Sequence, residues 1–299
     1  MRSICETLRD KRVLVSDGAW GTMLMEAGLA PGKCPESWNI ERPEAVRQVA
    51  EHYIAAGADM VSTNSFGGTA IKLARHGLGG SVREINRTAA ALSREAAGND
   101  HFVIASIGPT GKMLQLEDVT EAELYDAFRD QALALEEGGA NACCIETMSA
   151  IDEAAIAVRA VKENTGLEII CTFTFDRAIE GRYWTMMGVS PEAMATAMRE
   201  AGAHIIGTNC SQGPATMIPI VAAMRRAAPG LPILVQPNAG MPIHTESGTR
   251  FPESPDSFAG YVPALLEAGA SILGGCCGTT PEHIEKLAAA VRTARGSLR

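Results

Sequence analysis

Two adjacent cysteines near the C-terminus have the residue type and surroundings best suited to chemistry. Cys276 and Cys277 stand between glycines in residues 274–281, directly after a short apolar run. A third cysteine, Cys210, follows another apolar run far upstream. Glycines on both sides allow the backbone to turn, so the two adjacent sulfurs can face one centre. Three sulfurs with an open fourth position suit a catalytic zinc that binds and activates an incoming thiol, and this is the site that we expect.

The cysteines also allow alternatives to a zinc site, and these stay open at this point. The pair Cys276–Cys277 could instead form a vicinal disulfide or be simply buried, because adjacent cysteines are less specific than paired Cys-x-x-Cys motifs. A second adjacent pair, Cys143–Cys144, lies inside an apolar run that predicts a strand, where neighbouring side chains point to opposite faces. We therefore expect Cys143 and Cys144 to pack in the core, and Cys171 likewise.

Polar residues follow the ends of most of the apolar runs. Glu146 is either a helix N-terminal carboxylate or a group that holds a substrate ammonium, and Asp17 has the same two interpretations. Asn238 either stabilises a turn or donates to a substrate carboxylate. If the runs form a closed barrel, one mouth collects the set Asp17, Asn64, Ser106, Glu146, Cys210, Asn238, Cys276 and Cys277.

The pattern of apolar runs predicts such a barrel. Eight runs alternate with helical patterns along the chain, and the runs are near-continuous, as in parallel strands buried on both faces. Eight strand–helix units in this length favour an α/β fold with a (βα)8 TIM barrel whose catalytic mouth lies at the C-terminal ends of the strands. The alternative, an open doubly wound sheet, would require Gly-x-Gly-x-x-Gly after the first strand, where residues 17–21 read Asp-Gly-Ala-Trp-Gly.

Local signals place several of the elements. Helices are predicted at about 43–56, 82–97, 151–163, 216–227 and 255–267, and Ser190-Pro191 marks the start of another. Thr120 and Glu123 form a predicted capping box that opens a helix to about residue 137. Thr280-Pro281 is expected to begin the last helix, and residues 174–184 are expected to form a long loop.

Composition restricts the class of protein. The 299 residues carry a net charge of −9 without a basic run, which argues against nucleic acid and anionic membrane surfaces as partners. We find no apolar stretch of membrane-spanning length and no signal-peptide core at the start. The eight cysteines are then expected to be reduced thiols or metal ligands, in a cytoplasmic protein with a single domain over residues 1–299.

The histidines suggest no rival site. His204 begins a predicted strand, at the end of a barrel opposite to the mouth, and His283 lies on the predicted last helix. His244 stands in a loop after Pro242-Ile243. The chain has neither His-Glu-x-x-His nor Gly-x-Ser-x-Gly, so hydrolases of those types receive little support.

Taken together, the motifs resemble the homocysteine S-methyltransferase family, over nearly the whole chain and in family order. The motifs are Asp-Gly-Ala-Trp-Gly-Thr from residue 17, Thr-Asn-Ser-Phe from 63, Ile-Gly-Pro-Thr-Gly from 107, Glu-Thr-Met from 146, Asn-Cys from 209, Pro-Asn-Ala-Gly from 237 and Gly-Gly-Cys-Cys-Gly-Thr-Thr-Pro from 274. The likeness is greatest to the homocysteine-binding module of cobalamin-dependent methionine synthase. Two positions depart from that pattern, which commonly has methionine at Trp20 and leucine at Gln212.

The resemblance implies a (βα)8 barrel with zinc on Cys210, Cys276 and Cys277. It also implies that Asp17, Glu146 and Asn238 line an amino-acid site, with Ser106 and the Gly108 loop nearby. The implied reaction is methylation of a thiol, L-homocysteine, to methionine.

The methyl donor is expected to come from outside, because no folate-binding, corrinoid-binding or reactivation module follows the barrel in this sequence. A methylated corrinoid on a separate protein, docked over residues 176–187, is the leading candidate, with methylcobalamin as its free counterpart. S-methylmethionine or a betaine is the second. Another thiol as acceptor, or a zinc-binding barrel without catalysis, also stays open.

Overall fold

The computed structural model describes residues 2–179, 181–245 and 248–297. Their strands are β1 Leu14–Val15, β2 Met60–Ser62, β3 Phe102–Ile107, β4 Ala142–Met148, β5 Glu168–Phe173, β6 Arg177–Ile179, β7 Arg182–Trp184, β8 Ile205–Cys210, β9 Ile233–Pro237, β10 Ile243–Thr245, β11 Gly248–Arg250 and β12 Ile272–Leu273. Eight of these form one parallel sheet in the order β1-β12-β9-β8-β5-β4-β3-β2, and β6–β7 and β10–β11 are separate hairpins. The predicted α/β fold, a (βα)8 TIM barrel, is confirmed.

Helices lie between the strands and cover the outside of the sheet. In chain order they are α1 Ile4–Lys11, α2 Trp20–Glu26, α3 Trp38–Glu41, α4 Pro43–Ala55, α5 Ala70–Ala74, α6 Val82–Ala97, α7 Glu121–Glu137, α8 Ile151–Asn164, α9 Pro191–Ala201, α10 Pro214–Ala227, α11 Pro255–Gly260, α12 Val262–Ala268 and α13 Pro281–Ser297. The predicted signals act as expected: Thr120 and Glu123 make a reciprocal capping box, and Ser190 caps α9 ahead of Pro191. None of these helices combines the length and apolar character that a bilayer crossing demands.

Side chains complete the barrel at the junction of β1 and β2, the two ends of the sheet order. One backbone bond links them, from Asp59 N to Val15 O at 2.7 Å. Two carboxylates supply the remaining bonds: Asp59 Oδ2 accepts from Val15 N at 2.9 Å, and Asp17 Oδ2 accepts from Ser62 N at 2.6 Å. Buried backbone amides need such partners, so these aspartates replace ladder bonds where the two strands diverge.

The end of the barrel opposite the mouth is closed by α1. Its Ile4 and Leu8 pack against buried residues of the inner strands, including Leu14 and Ile272. Glu168, at the start of β5, accepts from Ile4 N at 2.6 Å and from Cys5 N at 3.0 Å, which satisfies amides at the N-terminus of that helix.

Several features differ from the sequence-based expectations. The helices α1, α2, α3 and α5 and the hairpin β10–β11 were not predicted, and the expected loop at 174–184 contains the hairpin β6–β7. The helix expected at 255–267 is two helices that meet at Tyr261. Pro263 explains the break, because it has no N–H to donate to a preceding turn and disfavours a helical conformation at Val262 within a longer helix.

Candidate metal and substrate site

Cys210, Cys276 and Cys277 converge at the C-terminal ends of β8 and β12. Their sulfurs all lie within 4.8 Å of one another, and Cys277 Sγ is 3.7 Å from Cys210 Sγ and 4.0 Å from Cys276 Sγ. A tetrahedral zinc with Zn–S bonds of about 2.3 Å separates its sulfurs by roughly 3.8 Å. The spacing and the all-sulfur donor set therefore fit a zinc ion. A disulfide is not formed, since all eight cysteines are free.

A left-handed turn directs Cys210 into the site. Cys210 and Ser211 have φ of 65° and 60°, a conformation that residues other than glycine seldom adopt. Asn238 holds this turn, because its Nδ2 donates to Ser211 O at 2.7 Å and its backbone N donates to Gln212 O at 3.1 Å. Ser211 Oγ also donates to Phe175 O at 2.8 Å. Contacts from two neighbouring strand ends thus stabilise the strained turn that carries one of the three sulfurs.

The Cys276–Cys277 segment is held by Thr279. Thr279 Oγ1 donates to Cys276 O at 2.8 Å and accepts from Ala19 N at 3.1 Å, which ties the cysteine loop to the end of β1. Gly278 has φ of +79°, and a Cβ there would overlap the ring of Phe251. The glycine after the cysteines is therefore required both for the turn and for close packing.

The pKa values of the neighbouring thiols are shifted in opposite directions. Hydrogen bonds from Cys210 and Cys276 lower the pKa of Cys277 to about 3. Hydrogen bonds with Cys210 and Cys277, followed by burial, raise the pKa of Cys276 well above its usual value. Even without a cation, the cluster favours one thiolate stabilised by two S–H donors, which is a donor set prepared for a metal ion.

Glu146 stands at the end of β4 and lines the same cavity as the three cysteines. Ser106 Oγ, at the end of the neighbouring β3, donates to Glu146 Oε1. Burial raises the pKa of Glu146 to about 7, with smaller contributions from the charges of Asp17 and Cys277, while the Ser106 bond acts in the opposite direction. The Glu146 side chain is half-buried and has no cationic partner among the described residues, so it can hold a substrate ammonium.

The residue after Glu146 is also strained, and Asn209 supports it. Thr147 has φ of 62°, which is a genuine outlier for a β-branched residue. Asn209 Oδ1 accepts from Thr147 N at 3.0 Å and from Thr172 Oγ1 at 2.8 Å, and Asn209 Nδ2 donates to Thr147 Oγ1 at 2.8 Å. Since Asn209 directly precedes Cys210, one buried side chain connects the carboxylate end of the site with the sulfur end.

Asp17 lies behind the cavity wall. It is fully buried, and besides Ser62 N its carboxylate accepts from Ser62 Oγ at 3.0 Å and from Trp20 Nε1 at 2.7 Å. Burial raises the pKa of Asp17, and the hydrogen bonds from Ser62 and Trp20 oppose that shift. Ser62 and Trp20 themselves line the cavity, so the contact between Asp17 and the cavity passes through them.

The cavity has a volume of about 700 Å³, and most of the predicted polar set reaches it. Asn64, Ser106, Glu146 and the three cysteines are among its lining residues, whereas Asp17 and Asn238 lie just outside them. Asn238 is buried, and its Oδ1 has no hydrogen-bond partner among the described residues.

Cys143, Cys144, Cys171, His204 and His283 lie where the sequence placed them, whereas His244 was expected in a loop and belongs to strand β10. Cys143, Cys144 and Cys171 are buried in strands β4 and β5. His204 Nδ1 accepts from Ile169 N at 2.9 Å, at the start of the strands, and His283 is buried on α13. The side chain of His244 lies outside the described part of the chain.

Sequence reasoning missed three residues of the site, Thr147, Asn209 and Trp20. Thr147 and Asn209 both stood inside the motifs of the family resemblance, but only as neighbours of a carboxylate and a cysteine. The sequence did contain a signal for Asn209, because a buried strand that ends in Asn-Cys places a side-chain amide one residue before a candidate metal-binding cysteine. Trp20 was noted only as a departure from the family pattern; it packs against the core, and its Nε1 donates to Asp17.

The fold and the site together define a class of protein, a (βα)8 barrel with three convergent cysteines and a half-buried carboxylate at one mouth. The sequence profile described as homocysteine S-methyltransferase matches residues 14–291. The chain therefore belongs to the homocysteine S-methyltransferase family.

Individual relatives agree with this. The chain is 33% identical to a methionine synthase of Mycobacterium tuberculosis over 94% of its own length and 25% of the relative's. It is 32% identical to the methionine synthase of Mycobacterium leprae, over 96% of its own length and again 25% of the relative's. The chain thus spans about a quarter of the length of these curated relatives.

Solved structures share the fold. The homocysteine methyltransferase MmuM from Escherichia coli in its metallated form superposes with a TM-score of 0.78 at 23% identity, covering 95% of this chain and 98% of that one. Its oxidized form gives a TM-score of 0.80 at the same identity, covering 97% and 99%. The likeness extends over essentially the whole of both chains.

Proposed function

We propose that the chain, acting as one domain over residues 1–299, methylates the thiol of L-homocysteine to give methionine. The observation that carries the proposal is the group of three cysteine sulfurs at tetrahedral spacing, in the same cavity as the half-buried carboxylate of Glu146, which has no cationic partner among the described residues. Family membership, the methionine synthase relatives and the metallated form of the Escherichia coli homocysteine methyltransferase support it. Its free cysteines suit a reducing compartment, so we place the protein in the cytoplasm.

Cys210, Cys276 and Cys277 would hold the zinc ion. When bound there, zinc supplies a Lewis acid that favours the deprotonated form of a thiol near neutral pH. The left-handed turn at Cys210 and the Thr279 clamp on Cys276 keep the three sulfurs on one side of the cavity.

Glu146 and Ser106 would orient the amino acid. Glu146 accepts from the substrate ammonium, and the Ser106 hydroxyl fixes the carboxylate rotamer from the neighbouring strand. Asp17 acts through Trp20 and Ser62, and Asn238 acts by holding Ser211, so both would contribute by positioning the wall of the amino-acid site. The substrate sulfur forms its bond to the donor's methyl carbon, and the donor leaves with the electron pair of the broken bond.

The rim of the mouth favours a macromolecular donor, a methylated corrinoid carried by a separate protein. Six of the exposed large apolar side chains stand on segments that follow barrel strands on this side: Met25, Phe66, Leu116, Met186, Met241 and Ile243. Exposed apolar surface around a cavity is typical of a docking site. The expected docking segment 176–187 contains the hairpin β6–β7 and Met186, although Glu180 lies outside the described residues. S-methylmethionine or betaine as donor is the second candidate, because the cavity has room for a small donor beside homocysteine.

The deciding experiment supplies free methylcobalamin and L-homocysteine to the zinc-loaded protein, and follows methionine together with the absorbance of the corrinoid. We expect methionine to appear as methylcobalamin is consumed, and Cys276→Ser to abolish both signals. Cys5→Ser, at the opposite end of the barrel, is the matched control and should keep the activity.

Two outcomes would change the proposal. If the zinc-loaded protein forms no methionine, the corrinoid donor would be rejected. The assay would then use S-methylmethionine and betaine as donors, with homocysteine and then other thiols as acceptors. A protein that binds no zinc, or binds it without an exchangeable fourth ligand, would overturn the proposed reaction in favour of a non-catalytic barrel.

A further inference from the structure

Besides the sulfurs and Glu146, the cavity is lined by residues of the segments that follow β1 and β2, and we call this part of the cavity the arm. This arm is lined by Cys34, Glu36, Phe66, Lys72, Arg75 and His76. A small amino acid such as homocysteine fills only a fraction of the 700 Å³, which is within the range of pockets for much larger ligands. The cavity therefore has room for a second molecule beside homocysteine. The side chains of the arm indicate which chemical group that molecule carries.

Lys72 is the distinctive residue of the arm. It lies on the short helix α5, where the buried Leu73 anchors the turn and Thr69 caps it. Its Nζ is 5.1 Å from the centre of the Phe66 ring, and the described residues offer it no hydrogen bond or ion pair. Burial, together with the charge of Arg75, lowers the pKa of Lys72. A half-buried ammonium without a close anion is destabilised, and an anionic ligand would reverse that effect.

The nearest carboxylate within the described part of the chain is already engaged. Glu36 Oε1 accepts from Gly67 N at 2.5 Å, and Glu36 Oε2 accepts from Cys34 Sγ at 3.1 Å. Glu36 therefore organises the loop after β2. Its charge acts to raise the pKa of Lys72, but the two side chains do not form an ion pair.

Arg75 adds a second cation to the same arm. One of its nitrogens, Nη2, donates to Thr110 O at 3.3 Å, which leaves several of its donors directed elsewhere. Two adjacent cations beside an aromatic ring, with room in front of them, make a site for a carboxylate or phosphate oxygen.

We propose that Lys72 and Arg75 form an oxyanion subsite that holds an anionic group of the methyl donor while the donor's methyl lies near the three sulfurs. This inference rests on the proposed function for the reaction that it serves. Carboxylate and phosphate share the chemistry: S-methylmethionine and betaine carry the first, and the nucleotide part of methylcobalamin carries the second. The whole cavity, at about 700 Å³, has room for a donor beside homocysteine, so we assign the anion to the donor.

Direct binding tests the subsite without any turnover. Inorganic phosphate is titrated calorimetrically into the zinc-loaded protein, its Lys72→Met and Lys72→Arg variants, and Lys112→Met as a control. Lys112 is ion-paired with Asp118 at 3.2 Å and is not among the cavity-lining residues. We expect Lys72→Met to weaken phosphate binding at least tenfold, and Lys72→Arg and Lys112→Met to stay within threefold of the parent. Absence of binding to the parent, or equal binding to Lys72→Met, would overturn the subsite even if methyl transfer proceeds.

Kinetics with paired donors then identify the source of the anion. Methylcobalamin is compared with methylcobinamide, which lacks the nucleotide phosphate, and S-methylmethionine with its carboxamide. With the donor of each pair that carries the anionic group, Lys72→Met should raise the donor KM about tenfold and leave kcat and the homocysteine KM within twofold. With the donor that lacks this group, the parent and Lys72→Met should have the same donor KM. A rise in the homocysteine KM alone would contradict the assignment to the donor. Loss of all methyl transfer in the parent, with phosphate binding intact, would count against the proposed reaction and not against the subsite.

Discussion

Glu146 is expected to make the enzyme pH-dependent in the neutral range. Its pKa, raised to about 7 by burial, leaves it partly protonated near pH 7, and only the carboxylate can hold an ammonium group strongly. We therefore expect kcat/KM for homocysteine to rise about tenfold per pH unit below pH 7 and to level off above it. Glu146→Gln should lower the plateau about 10- to 100-fold and remove this limb of the profile.

A stability measurement separates this loss from misfolding. The folded-state pKa of Glu146 lies above its usual value of 4.5, so its favourable contribution to stability is present at low pH and is lost as pH rises through about 7. At pH 8 the Glu146→Gln variant should resist urea at least as well as the parent, by a margin of up to about 3 kcal/mol. A marked loss of stability would mean that Glu146 is structural.

Asn209 is expected to position Glu146 by stabilising Thr147. Asn209→Ala leaves the amide of Thr147 without its buried acceptor, at a cost of about 1–3 kcal/mol in the free energy of unfolding. Because Thr147 has φ of 62°, it should relax toward a commoner conformation and move Glu146, so that the homocysteine KM rises more than kcat falls. Urea unfolding, steady-state kinetics and zinc affinity are the readouts.

Thr172→Val is the control for Asn209. It removes only the Thr172 hydroxyl bond to Asn209 Oδ1 and keeps both bonds to Thr147. A KM change as large as that of Asn209→Ala would show that the effect is a general loosening of the strand ends.

At the scale of elements, the junction of β1 and β2 depends on ionised aspartate. Burial acts to raise the pKa of Asp59, yet hydrogen bonds from Lys11 and Val15 and the charge of Arg295 lower it overall. The stabilisation is therefore present above the unfolded pKa, near 4, and is lost as pH falls through the lower folded value. We expect Asp59→Asn to cost about 1–3 kcal/mol at pH 7 and much less at pH 3, measured by urea unfolding.

Asp10→Asn provides the comparison for Asp59. Asp10 pairs with Arg2 at 2.5 Å, but both side chains are about 60% exposed, so its loss should change stability by less than about 1 kcal/mol at either pH. Similar effects of the two substitutions would contradict a special role for Asp59 in closing the barrel.

These elements also explain which parts of the structure the sequence could predict. Strands such as β3 and β5 are near-continuous apolar runs, which the sequence pattern indicates, and α6 and α7 have clear helical patterns that predicted their bounds within a residue or two. The hairpin β6–β7 consists of two three-residue strands outside the main sheet, too short to produce an alternating pattern. The closing contacts of Asp17 and Asp59 join residues more than forty positions apart, which no local pattern indicates.

Some residues of the candidate site could likewise be predicted from the sequence, and others could not. The three cysteines were predictable because glycines and strand ends restrict where their sulfurs can go, and Glu146 and Ser106 end neighbouring strands that pair in register. The left-handed conformation of Thr147 could not be predicted, because threonine favours extended backbone and only the tertiary contacts of Asn209 overcome that preference. Lys72 was also missed, because its lack of a hydrogen-bond or ion-pair partner within the described ranges depends on its surroundings and not on its own residue type.

At the scale of the whole molecule, the apolar rim should distinguish a protein-borne donor from a free one. Met186 and Met241 are 63% and 60% exposed beside the mouth, and neither lines the cavity. A charge at either position opposes the burial of apolar surface by a docking protein and leaves the path of a small donor unchanged. Met186→Glu and Met241→Glu should therefore raise the KM for a methylated corrinoid protein about tenfold, with free methylcobalamin unaffected.

Leu133→Glu completes this test, because Leu133 is a 37% exposed leucine on the outer helix α7, away from the loops that follow the strands. It should alter neither KM, and steady-state assays of all three variants with both donors give the comparison. If the rim variants slow both donors equally, the rim shapes the cavity and is not a docking surface. If they slow neither, the donor enters as a small molecule, and S-methylmethionine or betaine becomes the better candidate for the donor.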